Sequence, residues 1–381
     1  MPTHGEDDVT EERQPFVIAD DADGDDLGPA AVAAVDVDDM TAAVLGLGEQ
    51  LSVGWRLAGE ALEPWSETLA GEPRDAVAVC GMGGSAIGGD IVAACVPELG
   101  APFQVVRGYA VPSWVTSRAL IVAVSYSGDT EETLACVDEA LARGCRPVCV
   151  AAGGRLAVLA ADHDLPLVGV PAGLQPRAAL GYLTAAVARA LDAACLIGGL
   201  GTQVSEAAHL LCNMATVFDP EVDAPINQAK VVARALHGHL PLVYGAGLTA
   251  PAARRWKCEL NENAKTPAFF AELPELDHNE LAGWVNTAGI AAATVVVALD
   301  DPHADERLLR RFELTLEALR PVVADVVRVT ARGETPLARL LSAAYVGDAA
   351  SLYLATLYGV DPTPVEALET LKRRLADDGR S

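Results

Sequence analysis

The chain has 381 residues, a formal net charge of −26, and 51% hydrophobic but only 5% aromatic residues. That length accommodates two domains with large cores of Ala, Val and Leu, which favours α/β architecture over an aromatic-rich sandwich. So acidic a chain excludes a general footprint for nucleic acid or an anionic membrane.

Residues 1–35 are rich in Asp and Glu, lack the apolar core of a signal peptide, and read as a disordered leader. Residues 36–72 read as an N-terminal helix, opened by Asp38 or Asp39 and carrying Met40, Val44, Leu45, Leu51 and Leu57. Across 73–197, apolar runs alternate with helical stretches. Strands are predicted at 76–80, 103–106, 119–124, 147–151 and 167–170, with helices at 131–143 (ended by Gly144) and 178–194. Such alternation implies a parallel, doubly wound sheet.

A helical linker over 198–225 leads to a second α/β set over 226–376. There, strands are predicted at 241–247, 294–299 and 325–329, and helices at 227–237, 250–264, 306–319 and 336–358. Asp361-Pro-Thr-Pro-Val365 then opens a last helix carrying Lys372. Apart from alanine-rich helices punctuated by polar residues, no apolar run approaches a membrane span. The eight cysteines include no Cys-x-x-Cys pair, the pattern of a reduced cytoplasmic protein. His237-Gly-His239 has no nearby third ligand and reads as a loop before a strand rather than a metal site.

Two turns carry the first chemical signal. Ala76–Cys80 runs into Gly81-Met-Gly-Gly-Ser-Ala-Ile-Gly-Gly-Asp90, and Ala119–Val124 runs into Ser125-Tyr-Ser-Gly-Asp-Thr-Glu-Glu-Thr133. Glycine after a strand lets the backbone approach a ligand, and the following helix start offers free N–H groups to an anion. A single turn of this kind is most simply a tight connection. Two in succession, with Ser85, Ser125, Ser127 and Thr130 in their first turns, point to a phosphate on a small molecule. The P-loop lysine is missing and the dinucleotide Gly-x-Gly-x-x-Gly pattern fails, so a nucleotide is not indicated.

The second signal is Trp256-Lys-Cys-Glu-Leu-Asn-Glu-Asn-Ala-Lys265, followed by Pro274-Glu-Leu-Asp-His-Asn-Glu280. Glu262 and His278 brought to one pocket supply a base and an acid–base partner. The same residues equally describe a charged, solvated helix and a capping turn. Arg177, at a loop–helix junction, either neutralises acidic surface or stabilises an oxyanion.

These segments, with Gln175-Pro-Arg-Ala-Ala-Leu-Gly-Tyr182 and Arg255-Trp-Lys257, together resemble the bifunctional phosphoglucose/phosphomannose isomerases of the sugar isomerase (SIS) superfamily. The similarity covers roughly residues 38–375. It implies two SIS domains, each with a five-stranded parallel sheet between helices, in a homodimer with active sites near the subunit interface. It also implies isomerisation of glucose 6-phosphate or mannose 6-phosphate to fructose 6-phosphate through a cis-enediol, with no metal or organic cofactor. Carried over residue by residue, Gly84, Ser85, Ser125, Ser127 and Thr130 hold the sugar phosphate. Glu262 is the base, and Arg177 stabilises the developing charge. His278, from the partner subunit, opens the ring with help from Lys372, and Thr363 lies near C2.

Two positions depart from the family. Asp129 replaces an asparagine, which puts a negative charge beside the proposed phosphate unless it points outward to cap the helix at Glu131. Asp277 replaces another before His278, where it would raise the histidine's pKa. A non-catalytic SIS module that senses sugar phosphates is the competing reading; it would keep the serine loops without needing Glu262 and His278. The half-enzyme of an amidotransferase would need an N-terminal cysteine, whereas the first cysteine is Cys80. A zinc-dependent isomerase would need clustered metal ligands.

Overall fold

The computed structural model describes residues 26–71, 73–286 and 288–378. Most of the acidic leader therefore lies outside the described residues, but Pro29–Val35, within it, is a helix with proline in its first turn. The long helix expected over 36–72 is instead broken. Asp39 adopts a left-handed conformation and caps Met40–Leu45, and Leu47–Leu62 follows after Gly46.

The first sheet has five strands: β1 (Val77–Cys80), β2 (Phe103–Val106), β3 (Leu120–Val124), β4 (Val148–Ala151) and β5 (Leu167–Gly169). They pair in parallel in the order β2-β1-β3-β4-β5. β1, β3 and β4 are buried at every residue, as a sheet covered on both faces requires. Helices Gly83–Cys95, Glu131–Ala142, Gly154–Asp162 and Leu180–Ala193 provide that cover.

The second sheet comprises β6 (Leu240–Ala246), β7 (Phe269–Leu273), β8 (Thr294–Asp300) and β9 (Asp325–Thr330), parallel in the order β7-β6-β8-β9. It thus has four described strands rather than five. β7 was not expected from sequence, because an edge strand with Phe269 exposed lacks the continuous apolar run of its neighbours. The 198–225 interval contains the helix Leu200–Phe218, whose Val204, Ala207, Leu211, Met214 and Phe218 enter the main core.

That core is organised around Pro336–Leu357. It is the one helix among the described residues long and apolar enough to cross a membrane, and 89% of its apolar window is buried inside the fold. It packs against Leu200–Phe218, Gln228–Leu236, Ala250–Glu262 and, from the first domain, Gly83–Cys95. A helix enclosed on all sides can be apolar all round.

Its closest approach is at Gly347, where a Cβ would fall 2.3 Å from the indole of Trp256. Trp256 is fully buried and donates its Nε1–H to the Ala343 carbonyl at 2.9 Å, which leaves the ring no slack. Alanine in place of a mid-helix glycine gains about 1 kcal/mol of propensity, whereas overpacking costs about 1–3 kcal/mol. We expect Gly347→Ala to lose stability on balance, read as a lowered midpoint in chemical denaturation. An unchanged or raised midpoint would contradict the contact.

Candidate active site

The first sheet reverses its winding between β1 and β3, so the carboxyl ends of these neighbours form its switch point. Each opens into a helix whose start lacks a side-chain cap. Their first N–H groups are therefore available to an anion. Ser85 Oγ accepts from the Tyr126 N–H at 3.1 Å, tying one loop to the other. Ser125 Oγ accepts from the Gly128 N–H at 3.1 Å and shares a 2.8 Å hydrogen bond with the Thr130 hydroxyl. Ser127 is exposed, and its Oγ accepts from the Asp129 N–H at 3.2 Å. The five residues predicted to hold phosphate thus belong to two joined loops.

Gly84 joins these loops to the next group. A Cβ on it would lie 2.9 Å from the backbone N and Cα of Arg177. Arg177 sits in the short 3₁₀ turn Pro176–Ala179 and is only 3% exposed. Its guanidinium has five N–H donors. Nε donates to Asn263 Oδ1 at 2.7 Å, and one terminal nitrogen donates to the carbonyls of Pro362 and Thr363 at 2.7 and 2.8 Å. The other terminal nitrogen reaches Glu262 Oε2 at 3.5 Å. Its second hydrogen has no acceptor among the described residues. A buried cation with one donor to spare, beside a carboxylate 28% exposed, is suited to an oxygen that gains negative charge.

Glu262 ends the helix Ala250–Glu262. The second domain therefore meets the site with a helix C-terminus, not with the glycine turn after β6. That turn is closed by its own residue: Thr249 Oγ1 accepts the Ala246 N–H at 2.9 Å.

One turn earlier on the helix lies a fully buried ionic cluster. Arg255 contacts Glu259 Oε1 at 2.9 Å and Asp348 Oδ1 at 2.8 Å, and it donates to the Arg177 carbonyl at 3.0 Å. Burial acts to lower the arginine's pKa, but Asp348 and Glu259 outweigh it and hold the group charged. Burial pushes Glu259 up to about 8 against the pull of Arg255, and it raises Asp348 as well. One cation thus faces two buried carboxyls, both of whose pKa values burial raises. Asn263 donates to Glu259 Oε2 at 3.0 Å and to Ser351 Oγ at 2.9 Å while accepting from Arg177, which connects the cluster to the site.

Thr363, whose carbonyl Arg177 holds, is buried, and its Oγ1 has no hydrogen-bond partner among the described residues. His278 and Lys372 are not brought there. Both are exposed, and among the described residues no hydrogen bond or ion pair joins either to Arg177 or Glu262.

The two departures have other occupations. Asp129 caps neither the helix at Glu131 nor its own loop; its Oδ1 accepts from the Arg155 N–H at 3.0 Å, at the start of Gly154–Asp162. Asp277 faces the helix Glu306–Leu319, accepting from the Thr315 hydroxyl at 2.7 Å and from Arg311 at 3.4 Å. It is therefore engaged away from His278.

Sequence reasoning singled out the segment that carries Asn263 but gave that residue no role, and it missed Asp348. The signal for Asp348 was present, since an acid in the middle of an apolar, alanine-rich helix requires a partner.

Residues 226–375 match the family described as the bacterial phospho-glucose isomerase C-terminal SIS domain. The chain is 36% identical over 340 residues to the bifunctional phosphoglucose/phosphomannose isomerase of Caldicellulosiruptor bescii, covering 89% of this chain and 99% of that protein. It is 34% identical over 251 residues to the D-glucosamine-6-phosphate 4-epimerase of Sulfolobus acidocaldarius, covering 66% of this chain and 77% of the relative. In fold it is similar to a hypothetical protein from Thermus thermophilus, with a TM-score of 0.66 and 20% identity over 89% of this chain and 91% of that one. With two parallel sheets flanked by helices, and a match across nearly the whole of the first relative, this chain belongs to the bifunctional phosphoglucose/phosphomannose isomerase family of SIS-domain enzymes.

Proposed function

We propose that this chain interconverts fructose 6-phosphate with glucose 6-phosphate and mannose 6-phosphate. The observation that carries the reading is the spare donor of buried Arg177 beside Glu262, one glycine away from the uncapped helix starts. The phosphate rests on those starts and on Ser85, Ser125, Ser127 and Thr130. In the open-chain aldose, Glu262 takes the proton from C2 and returns it to C1, while the hydroxyl proton on O2 passes to O1. The carbonyl moves from C1 to C2 and no atom is lost. Arg177 stabilises the charge that develops on oxygen in the enediol.

A planar enediol has lost its C2 configuration, so reprotonation on either face gives glucose or mannose. Thr363 would line that carbon. His278 and Lys372 would assist ring opening, and the exposure of His278 supports its acting from a partner subunit in a homodimer. All eight cysteines are free, five of them buried, which supports a reducing, cytoplasmic setting.

Purified protein given fructose 6-phosphate should form both aldose phosphates, detected by chromatography. No turnover between pH 6 and 9 would sink the proposal. The 34% identical relative carries a second reading, so glucosamine 6-phosphate belongs in the same assay. Its epimerisation in place of fructose 6-phosphate turnover would favour that reading.

Glu262→Gln keeps a hydrogen-bond acceptor for Arg177 and removes the base. Exchange of substrate hydrogen with deuterated water should fall by roughly 10²–10⁴-fold, with competitive inhibition by inorganic phosphate unchanged. Retained exchange would refute the role. Gly84→Ala should press on the Arg177 backbone and lower kcat more than it raises KM for fructose 6-phosphate. An effect confined to KM would place Gly84 with the phosphate alone.

A further inference from the structure

Lys265 stands just beyond the helix that ends at Glu262, with φ +53°. Past a helix end this left-handed conformation is usually left to glycine or asparagine, because a side chain there is strained. Lysine at such a position implies that its side chain has a task. Its Nζ donates to the Glu262 carbonyl at 2.6 Å and to the Pro362 carbonyl at 3.2 Å.

The Pro362 carbonyl is also the acceptor of Arg177, at 2.7 Å. A carbonyl has two lone pairs, and here both face cations, one from each domain. The next carbonyl, of Thr363, accepts from Arg177 as well, and the Thr363 N–H donates to Asp361 Oδ1 at 2.8 Å. Both carbonyls therefore hold this short segment towards the Arg177–Glu262 pair, while the Thr363 N–H is satisfied within it. Its one buried side-chain polar atom without a partner among the described residues is the Thr363 hydroxyl. Lys265 is exposed as a residue, but partial burial of its amine and the neighbouring Arg177 pull its pKa down, opposed by Asp361 and Glu262.

We propose that Lys265 is a positioning residue: it latches the Asp361–Thr363 segment to the end of the Glu262 helix and so places the Thr363 hydroxyl where C2 of the sugar is read. Arg177 holds the same segment from the first domain but is committed to Asn263 and Glu262 too, so it cannot set the position alone. The placement of Thr363 at C2 rests on the isomerase reading; the latch itself does not.

The test uses the full chain with Lys265→Gly, Lys265→Met and Lys265→Arg. Glycine relieves the left-handed backbone, so a lysine without a task would be replaced without loss of either melting temperature or activity. The latch predicts that Lys265→Gly keeps or raises Tm, yet amides of residues 361–370 exchange with deuterated water at least tenfold faster. It also predicts that kcat/KM falls at least tenfold, that the mannose 6-phosphate to glucose 6-phosphate preference changes at least threefold, and that inhibition by inorganic phosphate stays within twofold. Lys265→Met should behave as glycine does apart from Tm, and Lys265→Arg should recover most of the wild-type preference.

Unchanged amide exchange in the glycine and methionine variants would overturn the latch. Faster exchange with an unchanged preference would overturn the placement of Thr363. A wild-type protein that turns over no hexose phosphate would instead sink the isomerase reading, leaving the exchange measurement to decide the latch.

Discussion

The buried guanidinium of Arg255, seated against the backbone of Arg177, anchors the contact between the two halves of this molecule. Removing one cation and two carboxyls from water is costly, and pairing offsets that cost only where geometry and further hydrogen bonds are complete. Here the arginine contacts Asp348 on the central helix and Glu259 on its own helix, and it donates to the Arg177 carbonyl from the first domain. Burial raises the pKa of both carboxyls, and the charge of Arg255 opposes that rise. Asn263 extends it to the Arg177 side chain, with its amide facing a carboxyl on one side and a pure donor on the other. Such a network leaves Arg177 little freedom, and the adjacent packing of Trp256 on Gly347 holds the helix that carries Arg255 and Glu262.

The two domains share an architecture but serve the site with opposite ends. The first presents open helix starts at the carboxyl edge of its sheet, where partial positive charge gathers. The second presents a helix end with a carboxylate, while the start of the same helix is closed by Thr249. Under the proposed function, an anion bound by a chain of net charge −26 would rely on local backbone donors, hydroxyls and one buried arginine, which act at short range where the global field matters least.

The two acidic departures from the family pattern illustrate how a substitution can be absorbed. Asp129 satisfies a backbone N–H at the start of the neighbouring helix Gly154–Asp162. Asp277 holds the turn after β7 against Thr315 and Arg311. In both, the added charge has a partner on its own side of the chain.

The sequence by itself determined the elements and the chemistry-bearing types. Apolar runs ended by turn residues located β1, β3, β4 and β6 to within a residue or so, because burial on both faces demands unbroken apolar stretches. The motifs located both serine loops, Arg177 and Glu262. Weak local signals failed: β7 is a half-exposed edge strand, and Asp39 and Gly46 break what periodicity alone reads as one long helix. Only the tertiary structure decided which charges are buried and what they touch. Arg255 and Asp348 are 93 positions apart, and Arg177 and Thr363 are 186 apart. No local pattern encodes such pairings; they follow from the packing of helices, which removes these groups from water and obliges each to find its partner.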